Sequence, residues 1–289
     1  MKLSIRNEEL SADIQTHGAE LCSLRSADGV EYLWQAEPSI WPRHAPILFP
    51  IVGKLRDNRY TLSGQPYELT QHGFARDCQF EVESHSREMV TFLLTDSDRT
   101  RTHYPFNFEL RIGYRLSHAS LIVEFDVRNT GEQTLWFSIG AHPAFNCPLL
   151  PNEKRSDYIL EFSEAETIGR FPLVDGLLAT KMERLLQNQR VLHLSPSLFD
   201  RDALVLKQPA SDNLTLKSVS SGRGVRVEFP GWPYLGIWSK PGNGPFVCIE
   251  PWFGLADSNE STGELTKKEA IISLLPKSQF TCEHWVVVF

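Results

Sequence analysis

Residues 121–142 read LIVEFDVRNTGEQTLWFSIGAH. The first half alternates strictly: Leu121, Val123, Phe125 and Val127 fall on one side of an extended chain, and Glu124, Asp126 and Arg128 on the other. Successive side chains of a strand point to opposite faces, so this is a strand with one face in a core and one in water. Residues 129–133, NTGEQ, have turn chemistry, and a second run begins at Thr134. Two such runs across a short turn predict a β-hairpin.

Outward from this stretch the same period repeats. Residues 10–34 give short strands with Asp28-Gly29 as a turn signal, and residues 59–69 give a hairpin about Ser63-Gly64. Residues 79–95 and 108–125 continue the meander, and 224–229, 234–239, 246–252 and 279–289 supply four more candidate strands. Only residues 96–106 and 195–203 suggest a helical turn each. Many short strands at regular spacing predict an all-β sandwich or barrel. No Pro/Gly/Ser-rich linker and no fixed-period repeat divides the chain, so a single domain over 1–289 is expected.

Composition narrows the function. The chain has 289 residues, 41% hydrophobic and 22% charged, enough apolar material for a sizeable core. A formal net charge of -7 and the lack of any basic run argue against nucleic acid or an anionic membrane as the main partner. No run of about 18 apolar residues predicts a membrane span. The N-terminal segment MKLSIRNEELSADIQ has no signal-peptide core. Five scattered cysteines, Cys22, Cys78, Cys147, Cys248 and Cys282, with no C-x-x-C, suit free thiols in a reducing cytoplasm better than disulfides or a zinc site. A dinucleotide fingerprint, a phosphate loop, a zinc helix and a nucleophile elbow are all missing, so any catalysis is expected to rest on acid–base groups without a cofactor or metal.

Four stretches carry candidate chemistry. In EPWFG, 250–254, Glu250 follows an apolar strand and precedes Pro251, which favours an extended Glu250 at a strand end or edge. Trp252 and Phe253 would give it an apolar wall; a surface glutamate is the plainer reading. In SIGAHPAFN, 138–146, His142 also precedes a proline, and Ser138 and Gly140 on its face leave room beside the ring. A structural histidine is the alternative there. QHGFARD, 71–77, sets His72 and Arg76 around Gly73, either as a site or as a turn with Arg76 paired to an acid. FPIVGKLRDNRY, 49–60, ends in Lys54, Arg56 and Arg59, which solvent alone would also explain.

Together these stretches, with LFDRDALVL at 198–206 and GWPYLGIWSKP at 231–241, resemble the aldose 1-epimerases, or mutarotases, and within them the short LacX-like and hexose-6-phosphate-epimerase-like branch. The resemblance spans nearly the whole chain and implies a large antiparallel β-sandwich. It also implies cofactor-free interconversion of the α and β anomers of a hexose or hexose phosphate. By resemblance Glu250 is the base and His142 the acid, while His72, Arg56 and an aspartate, Asp202 or its neighbour Asp200, bind sugar. Arg76, aided by Lys54 and Arg59, would meet a phosphate, and Trp238 or Trp252 would stack on the sugar. The expected partner is a small sugar or sugar phosphate, and the expected protein a cytoplasmic monomer or homodimer. GAHPAFN and the short GKLRDNRY depart from the galactose enzymes' pattern. A non-catalytic sugar-binding module and a polysaccharide lyase or hydrolase are the competing readings on such a fold.

Overall fold

The computed structural model describes residues 1–289. Its largest sheet is antiparallel and nine-stranded. The order is Glu183–His193, Tyr158–Arg170, Asn213–Ser218, Gly224–Glu228, Gln279–Val288, Ser120–Asn129, Phe108–Ser117, Met89–Thr95 and Glu81–His85. A six-stranded sheet is built from Leu204–Lys207, Tyr234–Trp238, Phe246–Phe253, Ile139–Ala141 and Ile47–Leu48, with Ala144–Asn146 added along Phe246–Phe253. A cluster of 61 buried apolar residues draws on both sheets, joining Leu121, Val123, Phe125 and Val127 of one to Leu235, Ile237, Val247 and Ile249 of the other. This is sandwich packing, in which the two inner faces interdigitate. No helix is long and apolar enough to cross a membrane.

The alternation in residues 121–128 has the structural meaning read from it, with Leu121 and Val127 at 0% exposure and Glu124 and Asp126 on the outer face. The predicted hairpin does not form. Ser120–Asn129 pairs with Phe108–Ser117 and Gln279–Val288. Leu135–Phe137 pairs with Ile272–Leu274, and Ile139–Ala141 joins the six-stranded sheet. The segment between is a corner at which the chain leaves one sheet for the other. Buried Asn129 holds it: its amide nitrogen donates to the carbonyls of Gln133 at 2.8 Å and Leu274 at 2.9 Å, and its oxygen accepts from Gly131 N–H at 3.0 Å. One side chain thus satisfies three backbone groups at the corner.

The hairpin at Ser63-Gly64 and the helical turn at Asp98–Arg101 are present. Residues 195–203 form hydrogen-bonded turns and no helix.

The Phe246–Phe253 strand is central and buried on both faces. Glu250 therefore sits in the interior of a sheet, with Pro251 inside an eight-residue strand, not at the strand end or edge that the proline suggested. The reason lies in the neighbour. Gly140 pairs with Trp252 and Ala144 with Cys248, so one register runs through both short partner strands. His142 and Pro143 fall in the gap between them. In that register Pro143 stands opposite Ile249 and Pro251 opposite Ala141, so the two absent N–H groups fall where the ladder thins to one long bond, from Ile249 N–H to the Pro143 carbonyl at 3.3 Å. The same register sets His142 opposite Glu250, on the same face of the sheet.

Candidate functional site

The Phe246–Phe253 strand sends Val247 and Ile249 into the main core and Phe246, Cys248, Glu250 and Trp252 to the other face. On the adjacent strand Leu235 and Ile237 go inward, and Gly236 and Trp238 share the face of Glu250. Two glycines make this face usable. A Cβ on Gly236 would lie 2.4 Å from the Trp252 ring, and one on Gly140 would lie 2.7 Å from it. The space that Gly140 leaves is thus taken by the Trp252 indole, whereas the sequence suggested it would serve the imidazole.

A cavity of about 310 Å³ opens over this face. Glu250, His142, His72, Arg76, Asp202, Trp238 and Trp252 all line it. Of the two aspartates, Asp202, at φ 68°, lines the cavity and Asp200 does not. Arg56 does not reach it either: its guanidinium donates to the Asn259 carbonyl at 3.2 Å. The positive φ of Asp57 and Asn58 turns the chain away just after it. Lys54 donates to the Asp175 carbonyl at 2.9 Å, and Arg59 pairs with Glu68 on the surface. The basic stretch 54–59 therefore supplies no cation to the cavity wall.

Four lining features were not singled out from sequence: Trp41, Arg43, Gln71 and the tight hairpin of Leu173–Val174 and Leu177–Leu178. Trp41 stacks on the His142 ring at 5.1 Å and meets Trp238 edge-on at 5.5 Å. Arg43 and Arg76 share one acid, Asp77, at 2.8 and 3.7 Å. The signal for both was SIWPRHAP at 39–46, which repeats the pattern of an aromatic and a charged residue around a proline seen at Glu250.

His142 Nε2 lies 3.2 Å from Glu250 Oε2, with the Glu250 side chain 1% exposed. Neither Glu250 oxygen nor His142 Nδ1 has a hydrogen-bond partner. Burial pushes the Glu250 carboxyl well above the usual carboxylate range, and the nearby charge of Asp202 adds to it. Burial pulls His142 down to about 3, with Arg76 and Arg43 contributing. Both members are driven to their neutral forms. His72, beside His142 at 5.7 Å between ring centroids, is also lowered well below its ordinary value, first by burial and then by His142. Its backbone is at φ 67°, a conformation that persists off glycine only where surroundings enforce it. Here Gly53 N–H donates to His72 Nδ1 at 3.1 Å and His72 N–H donates to the Gly53 carbonyl at 2.8 Å. A neutral His72 therefore carries its proton on Nε2. Gly73 follows at φ 70°, where a Cβ would lie 2.3 Å from the Phe49 carbonyl oxygen.

A protein-family model described as aldose 1-epimerase matches residues 1–272. The chain belongs to the aldose 1-epimerase family. Among similar proteins, chromosomal protein LacX of Lactococcus lactis subsp. lactis is 40% identical over 285 residues, spanning 96% of this chain and 95% of that one. A galactose mutarotase related enzyme from Lactobacillus acidophilus superposes with a TM-score of 0.96 at 38% identity, covering 100% of this chain and 97% of the other. A galactose mutarotase-like protein from Lactobacillus casei superposes at 0.94 with 31% identity and 100% coverage of both chains. Family membership gives the cavity a chemical context. An aldose 1-epimerase is an isomerase acting on a sugar.

Beneath the pair lies Cys248, so that His142, Cys248 and Glu250 bring three donors of metal-ligand type within 4.8 Å of one another.

Proposed function

We propose that this protein is a working aldose 1-epimerase and that Glu250 and His142 move the protons. The observation that carries this is their 3.2 Å separation in a buried cavity. Anomer exchange needs a base for the hydroxyl on C1 and an acid for the ring oxygen. Both oxygens are bonded to the same carbon, so two groups that stand side by side can serve both. Glycoside hydrolases need their carboxyl groups about 5–9.5 Å apart. The short separation thus favours ring opening over glycoside cleavage.

The pair holds one proton. Glu250–H with neutral imidazole and Glu250 carboxylate with imidazolium differ by a transfer across the gap. In the second form the carboxylate accepts the C1 hydroxyl proton as the ring C–O bond breaks, and the imidazolium donates to the leaving ring oxygen. The aldehyde rotates about C1–C2, and closure on the other face runs both transfers backwards. The proton count returns to its start, and each group serves as acid and base in turn. His72 Nε2–H and Asp202 are suited to holding hydroxyls, and Trp41 and Trp238 to the sugar's apolar side.

Arg43 and Arg76 share one carboxylate, one Arg76 terminal nitrogen donates to the Gln71 carbonyl at 2.6 Å, and Arg76 Nε is buried with no hydrogen-bond partner. Forked donors left short of acceptors suit a phosphate, so a hexose phosphate is the preferred substrate. NMR exchange spectroscopy on α-D-glucose, α-D-galactose and glucose 6-phosphate tests this. Faster α/β exchange with the protein, greatest for the phosphate, is the expected result. Saturable line broadening without faster exchange would instead make the protein a binding module.

A further inference from the structure

Cys248 has no task in the proton transfers. It is completely buried, at 0% exposure, two residues before Glu250 on the same strand face. Alternation sets its thiol beside Glu250, and the register sets His142 across from them. All three donor atoms fall within 4.8 Å, and His142 Nε2 and Glu250 Oε2 are 3.2 Å apart. Two ligands held about 2.0–2.2 Å from a tetrahedral zinc ion stand roughly 3.3–3.5 Å from each other. The imidazole and the carboxylate are therefore already near ligand spacing, and the thiol needs a shift on the order of 1 Å.

We propose that His142, Cys248 and Glu250 form a binding site for a thiophilic divalent cation, Zn²⁺ first among them, entered from the sugar cavity. A second observation points the same way: both Glu250 oxygens are buried with no hydrogen-bond partner. Buried polar groups are otherwise paired, so these are donors without a ligand. Sulfur, imidazole and one carboxylate together suit zinc and not the oxygen-seeking calcium or magnesium. Charge also balances. A thiolate and a carboxylate neutralise the two positive charges of the ion, which spares a net charge beside the apolar cluster of Trp34, Ala144, Phe246 and Cys248. The fourth position opens on the cavity, as in zinc sites that keep one place for water or a hydroxyl. On binding, the Zn–S bond forms as the Cys248 S–H proton leaves to buffer. Any proton on Glu250 leaves likewise, and nothing is oxidised or reduced. Metal would occupy both proton-moving groups and silence anomer exchange. That consequence rests on the epimerase reading, whereas the binding itself does not.

The test uses the full chain, reduced with a phosphine, in the absence of sugar. Co²⁺ should give a thiolate-to-metal charge-transfer absorption that saturates at one ion per chain and is displaced by Zn²⁺. Calorimetry in two buffers should record proton release. Cys248→Ala should abolish the absorption and weaken Zn²⁺ binding at least tenfold, about 1.4 kcal/mol. Glu250→Gln should keep the absorption but weaken Zn²⁺ binding by a similar factor. No thiolate absorption in the unaltered protein at excess Co²⁺ would overturn the proposal, as would its survival in Cys248→Ala. If Cys248→Ala does not fold, unchanged Zn²⁺ affinity in Glu250→Gln overturns it independently. Because none of these readouts is turnover, failure here leaves the epimerase reading standing, and the reverse holds too.

Discussion

Two deeply buried pairs of ionisable side chains lie near the same cavity and are treated in opposite ways. Lys268 and Asp257 are 3% and 4% exposed and 2.8 Å apart. Lys268 also donates to the Leu255 carbonyl at 2.7 Å, and the second Asp257 oxygen accepts from Arg56 N–H at 3.0 Å. Asp257 N–H and carbonyl tie down Lys54 and Leu178, so this pair fastens the loops that bring Gly53, Ala256 and Leu178 to the cavity wall. Glu250 and His142 are buried as well but have only each other. The satisfied pair holds the frame. The starved pair is held in a reactive condition by that frame, with hydrogen bonds left for a sugar to make.

The contrast can be broken from either side. Asp257→Ala strands a buried ammonium, and urea unfolding should show a loss of about 3–5 kcal/mol. A loss below about 1 kcal/mol would mean that the pair is not the fastening assigned to it. Arg76→Gln removes a charged donor from the cavity, worth about 1.5–3 kcal/mol. Turnover of a hexose phosphate should fall roughly 10–150-fold in kcat/KM, with a much smaller change for the free sugar; equal losses for both would refute a phosphate contact. Gly236→Ala pushes a methyl group toward the Trp252 ring, and the overpacking should cost about 1–3 kcal/mol with a shift in tryptophan fluorescence.

The smallest effect is one of pH, and its sign is specific. Glu250 has a raised native value, so above the ordinary 4.5 the native state binds more protons than the unfolded chain, and the carboxyl's cost grows as pH rises. Glu250→Gln should therefore gain in relative thermal stability as pH rises from 4.5. His142 runs the other way. Its native value is about 3 against 6.5, so the penalty for keeping it neutral grows as pH falls below 6.5. His142→Gln should gain relative stability toward acid. Flat difference profiles in both variants would show that neither group is as isolated from solvent as the geometry requires.

How much of this was legible in the sequence depended on how local the cause was. Leu121 to Val127 announced their own strand because alternation is a property of four residues and one core. The corner at Asn129 was misread because turn residues of the same kind serve a hairpin or a change of sheet, and the choice is made by Leu274, 145 positions away. The long strands Tyr158–Arg170 and Glu183–His193 were missed altogether. Their pairing slips between Glu161 and Glu166, and the polar residues there break the period. At the site, Glu250 and His142 were visible as polar residues before prolines, but their juxtaposition was not, because it depends on one register shared by two short strands. Arg56 was misplaced for the same kind of reason, since its direction follows from the backbone at Asp57 and Asn58. Trp41 and Arg43 went unnoticed because the proline pattern at 39–46, though visible, does not say that it meets His142.

The most direct test of the account is Glu250→Gln examined twice, for anomer exchange by NMR and for stability by unfolding at neutral pH. The account predicts that exchange falls about 10²–10⁴-fold, the usual share of a positioned acid–base group, while stability holds or rises. Retained exchange in a protein several kcal/mol less stable would contradict it, because Glu250 would then be part of the frame and the proton chemistry would lie elsewhere.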